Sequence, residues 1–130
     1  MKTNFIKATI LVLFTIISVS CSNNDDNNST PSFAYQGNWS GTFTGTGDNG
    51  TWNANVNSAG VATGTATSNV FSNTYQLNGT VSSQGVFVAT VGSASTGATF
   101  NGTMTTNGNA SGTWTNTSAN MNGNWTGTKQ

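Results

Sequence analysis

Charge is almost missing from this chain of 130 residues. Only 5% of the residues are Asp, Glu, Lys or Arg, the formal net charge is zero, and there is no histidine. From Phe33 to the end, Asp48 and Lys129 are the only formal charges, with no cysteine, glutamate or arginine. General acid/base work needs titratable groups with tuned pKa values, and a serine or threonine nucleophile needs an adjacent base. A lone Asp48 in a glycine-rich turn and a lysine at the chain end supply neither, so no catalytic residue and no enzyme activity are expected. Zinc sites take Cys, His or carboxylates and calcium loops need several carboxylates, so no metal and no cofactor are expected. One lysine cannot neutralise a phosphate backbone, which argues against nucleic acid as a partner.

Large aliphatic side chains are also scarce. From Phe33 onward, Leu, Ile, Val and Phe number 13 of 98 residues. Such a low fraction signals disorder when it accompanies high net charge, which is absent here. The four tryptophans add enough apolar area for a thin core. The chain is therefore read as one small ordered domain, 33–130, preceded by two segments of a different kind.

Residues 1–20 read as a secretory signal. Lys2 and Lys7 give a positive start, and Ala8 to Val19 is an apolar run broken only by Thr9, Thr15 and Ser18. Twelve residues suit a signal and fall short of the roughly 20 needed to span a bilayer. Small Ser18 and Ser20 precede Cys21, the single cysteine of the chain. This arrangement resembles a bacterial lipoprotein lipobox, although Ser18 stands where leucine is usual. The resemblance implies cleavage before Cys21, lipidation of its thiol and attachment to the outer membrane of a Gram-negative cell. An ordinary signal cut near Ser20, leaving a free thiol, is the alternative. Residues 21–32, polar apart from Pro31, read as the lipidated cysteine and a disordered tether. Asp25 and Asp26 resemble acidic export signals for the cell surface; equally, they serve to solvate a linker, and a periplasm-facing position remains open.

The domain itself alternates with period two. Trp39, Gly41, Phe43 and Gly45 face one way and Ser40, Thr42, Thr44 and Thr46 the other. Equivalent strands follow near 51–57, 61–67, 73–81, 85–91, 97–105, 109–115 and 121–128, with turn centres 11 to 13 residues apart. Asn78-Gly79 and Asn101-Gly102 are turn-like pairs by type but are read inside strands, since a turn at the second would leave a strand of about four residues. Gly37-Asn38-Trp39-Ser40-Gly41-Thr42 returns as Gly123-Asn124-Trp125-Thr126-Gly127-Thr128. Like strands at the two ends point to neighbours that close an all-β, antiparallel up-and-down barrel of about eight strands, with Trp39 and Trp125 in the closing pair.

Gly37-Asn38-Trp39 also resembles the Gly-x-Trp signature of calycins, the lipocalin and avidin-like barrels. The resemblance implies that Trp39 plugs one end of the barrel and that a basic residue of the last strand, here Lys129, packs over it. Alternatively, both tryptophans are simply core aromatics. No helix after the barrel and no charged ligand set is found.

Loop lengths divide the barrel into two ends. Connections near 47–50, 68–73, 92–97 and 116–121 fall at one end, and tight turns near 58–60, 82–85 and 106–109 at the other. Trp52, Tyr75, Phe100 and Trp114 are expected to gather inside the loop end, as a mouth for a small apolar or glycan ligand or as core plugs. The expected function is a lipid-anchored, non-enzymatic surface barrel. The competing reading is a structural or adhesive protein whose neutral strands pair between chains, or whose outward Thr-x-Thr rows contact polysaccharide or ice.

Overall fold

The computed structural model describes residues 33–130; the proposed signal, Cys21 and the tether lie outside the described residues. Eight strands run β1 (Gly37–Thr46), β2 (Asn49–Val56), β3 (Val61–Ser68), β4 (Asn73–Val81), β5 (Val86–Val91), β6 (Ala98–Met104), β7 (Asn109–Asn116) and β8 (Met121–Lys129). Each pairs with the next, and β8 returns to β1, closing an antiparallel up-and-down barrel. The closing ladder runs from Trp39↔Lys129 to Thr46↔Asn122 and sets Phe43 opposite Trp125. The two near-identical segments are therefore neighbours, as their likeness implied. Closure gives every strand a paired neighbour on both sides.

Period-two alternation decides what lies inside. In β2, Gly50, Trp52, Ala54 and Val56 are buried while Asn49, Thr51, Asn53 and Asn55 are exposed. Outside, the register aligns Thr103, Ser111, Thr126, Thr42, Thr51, Thr67 and Thr74 in one unbroken row across seven strands. Such an exterior suits water, the reverse of a membrane-spanning barrel with its outward apolar band. The exceptions are Val61, at the start of β3, and β5, where Val86 and Val88 stand exposed on the outer face while Phe87, Ala89 and Val91 are buried.

The core depends on how glycine and tryptophan are paired. Trp114 on β7 faces Gly123 on β8, which in turn faces Gly45 on β1. The indole crosses this flat strip, and its Nε1–H donates to the carbonyl of Thr44 at 3.1 Å. Trp52 repeats the arrangement over Gly41 and Gly127, donating to Thr126 at 3.1 Å. Trp125 repeats it over Gly112 and Gly102, donating to Asn101 at 3.2 Å and to Thr113 at 3.1 Å. A buried indole N–H needs an acceptor. A ring can reach one two strands away only where the intervening positions carry no side chain. This requirement explains why Asn101-Gly102 sits in mid-strand: a Cβ on Gly102 would strike the Trp125 ring.

The tight-turn end is built from three alike turns, Asn57–Gly60, Ser82–Gly85 and Thr105–Gly108. In each, the glycine N–H donates to the first residue's carbonyl at 3.0, 3.0 and 3.1 Å. The glycines have φ of 80°, 84° and 88°, a left-handed conformation that costs other residues energy. Phe33 and Tyr35 fold beneath this end, Tyr35 almost fully buried and edge-on to Phe33 at 5.4 Å between ring centroids.

Candidate ligand cavity at the loop end

The loop end is open where the tight-turn end is sealed. The β4–β5 ladder runs only from Leu77↔Val91 to Val81↔Phe87, so the upper part of β4, including Tyr75, extends past its neighbour. Beyond Val91 the chain leaves the sheet through the loop before Ala98. The result is a concave cavity of about 270 Å³. An apolar cavity of about 150 Å³ holds a benzene ring, so this one has room for a two-ring molecule.

Its floor is aromatic. Phe43, Phe100 and Trp114 are each buried, with Phe43 edge-on to Phe100 at 5.8 Å and to Trp114 at 5.6 Å. Pairs in this geometry contribute roughly 0.5–1.5 kcal/mol each beyond their buried area, which makes the floor stiff. Its rim is softer. Tyr75 and Phe71 are 37% and 50% exposed, and Val91, Ala98 and Met121 complete the apolar wall.

Polar side chains interrupt this wall at two places, one formed by Ser93, Thr96 and Asn116 and the other by Asp48 and Ser68. Asp48, only 9% exposed, lines the cavity together with Ser68. Gly47, with φ of 81°, turns the chain so that Asp48 lies back over the mouth. Its Oδ1 accepts from the Ser68 hydroxyl at 2.6 Å and from the Asn49 backbone N–H at 2.8 Å. The Ser68 Oγ accepts in turn from the N–H of Phe71 at 3.0 Å, tying the β3–β4 loop to the carboxylate.

Of the four residues expected at the mouth, the structure brings together Tyr75, Phe100 and Trp114. Trp52 lies a layer deeper. Its bond to the Thr126 carbonyl draws the ring down across β1, where it stacks on Phe87 at 6.1 Å and meets Trp125 edge-on at 5.4 Å. Phe43, Phe71, Asp48 and Ser68 were not assigned to the mouth from the sequence. The available signal was Asp48 itself, the sole acid after the tether.

At the opposite end, Trp39 is 1% exposed and donates its Nε1–H to the Tyr35 carbonyl at 2.8 Å. Lys129 stands directly across from it in the β1–β8 ladder, with its Cε over Gly37. Trp39 and Lys129 thus sit together at the sealed end. Trp125 lies mid-barrel, stacked on Phe100 at 6.0 Å.

The architecture is consistent with a lipocalin-like barrel. No family model matches the chain, and no curated protein or solved structure does so either.

Proposed function

We propose that this domain is a non-catalytic binding barrel that holds a small, largely apolar ligand in its loop-end cavity. The observation that carries this reading is the cavity itself. It is concave and floored by a rigid aromatic cluster, and its rim places Phe71 and Tyr75 in contact with solvent. Ligand sites are commonly apolar hollows with few polar groups, and the mouths of β-barrels are among their usual places.

The same reading carries the lipid anchor at Cys21 and a position on the outer membrane. The described chain enters the barrel at the tight-turn end, where Phe33 packs near Gly60. An anchor on that side would hold the cavity facing away from the membrane, where a ligand arrives.

A second reading, contact with polysaccharide, draws on the outer rows of hydroxyls. Ser40, Thr42, Ser111, Thr126 and Thr128 line a shallow trough across β6, β7, β8 and β1. No aromatic ring lines that trough for a sugar to stack on. Adhesion through strand pairing draws no support from a closed barrel.

The test is titration of the full chain with 2-naphthylmethanol, a neutral two-ring fluorophore, followed by its emission. Saturable binding that weakens in Phe71→Ser and Tyr75→Ser supports the cavity. These rim positions are half-exposed, so both variants are expected to keep the wild-type thermal transition. Absence of binding, or equal binding by wild type and both variants, rejects it.

A further inference from the structure

Asp48 is the one formally charged residue in the lining of this largely apolar hollow. Its side chain is nine-tenths buried, and burying a carboxylate without a countercharge is unfavourable. Among the described residues the only cation is Lys129, at the sealed end of the barrel, and no salt bridge reaches Asp48. Two donors, Ser68 Oγ–H and Asn49 N–H, converge on Oδ1. Oδ2 accepts no hydrogen bond from the described residues. Yet no buried side-chain oxygen there lacks a partner, so Oδ2 is the part of Asp48 left open. Asp48 is itself part of the cavity lining. A carboxylate oriented through one oxygen and open through the other is arranged to receive a donor.

From this geometry we infer that the ligand is a small amphiphilic amine, whose ammonium group is received by Asp48 while its ring or alkyl body rests on Phe43, Phe100 and Trp114. The inference rests on the cavity reading above and narrows it. A single carboxylate with no neighbouring cation selects by sign. It favours a monoamine over a neutral molecule of the same shape and repels a carboxylate such as a fatty acid. An amino acid zwitterion gains nothing overall, since the site offers no cation for its second charge. Charge-assisted hydrogen bonds are about twice as strong as neutral ones, and the rings around the mouth add attraction for a cation above their faces. Cavity volume limits the body to about two rings.

Three probes with one ring system test this on the full chain: 2-naphthylmethylamine, 2-naphthylmethanol and 2-naphthoate, each by calorimetric titration. The expected order is amine tightest, alcohol weaker by about tenfold, and carboxylate weakest. In Asp48→Asn the amine should fall to the level of the alcohol, while the alcohol changes by less than about twofold. Asparagine keeps an oxygen for Ser68 and Asn49, and an unchanged near-ultraviolet tryptophan spectrum would report an intact fold. The wild-type series decides independently, because raising the salt should erode the amine's advantage and leave the alcohol unchanged. Equal binding of amine and alcohol by the wild type overturns the inference and leaves the apolar cavity standing. So does an amine preference that survives Asp48→Asn. If none of the three binds, the cavity reading and the inference fall together.

Discussion

The indole Nε1–H of Trp114 on β7 donates to the backbone carbonyl of Thr44 on β1, passing over the whole width of β8. The strand it crosses presents Gly123 beneath the ring, and the strand it reaches presents Gly45. The bond thus ties β7 to β1 beneath the loop-end cavity. Trp114→Phe keeps a ring but loses the donor, and should cost about 1 kcal/mol in urea unfolding. Trp114→Ala removes the floor as well and should cost roughly 3–5 kcal/mol.

The glycine beneath the ring should be equally sensitive. A Cβ at Gly123 would collide with the Thr44 carbonyl and the Gly45 Cα, both backbone atoms that a rotamer change cannot move aside. Gly123→Ala is expected to destabilise by about 1–3 kcal/mol, the usual range for an overpacked core. An unchanged urea midpoint would mean that β8 and β1 lie farther apart than described.

The fold was legible in the sequence to an unusual degree, because each strand carries its own evidence. Trp52, Ala54 and Val56 alternate with Asn and Thr without a break, and that pattern fixes both strand and face. Closure was legible because Gly37–Thr42 and Gly123–Thr128 repeat one another. The site was legible only in part. Loop lengths identified the open end, but strand position alone gave no ring directions. Trp52 starts high in β2, and its indole is drawn downward by an acceptor on β8 that only the register reveals. Asp48 was set aside as a lone acid in a turn. Its burial depends on Ser68, twenty residues away across the β2–β3 pair.

Ser68→Ala examines that link. It leaves Asp48 Oδ1 with one donor fewer and deprives the Phe71 N–H of its acceptor. Loss of a partner for buried polar groups costs about 1–3 kcal/mol. Amide hydrogen exchange should quicken at Phe71 while β1 and β8 stay protected. Exchange that rises equally throughout the barrel would argue against a local role.

The sealed end supplies a contrast. Gly85 has φ of 84°, and a Cβ there would also press on the Tyr35 ring and hydroxyl. Gly85→Ala should destabilise by at least about 1–2 kcal/mol from the backbone conformation alone. Affinity for 2-naphthylmethanol should nonetheless match that of the wild type, since the cavity lies at the other end. A large drop in affinity at temperatures where the variant is fully folded would place the binding site elsewhere.

Nitrogen–proton correlation spectra of the full chain, recorded during titration with 2-naphthylmethanol, bear most directly on whether the loop-end cavity is where this barrel holds a ligand. The indole signal of Trp114 and the backbone amides of Phe71, Tyr75, Phe100 and Met121 should shift progressively and saturate together. The indole of Trp39, bonded to Tyr35 at the sealed end, should stay in place. Shifts confined to Trp39 and its surroundings, or no saturable shift at millimolar probe, would contradict the account.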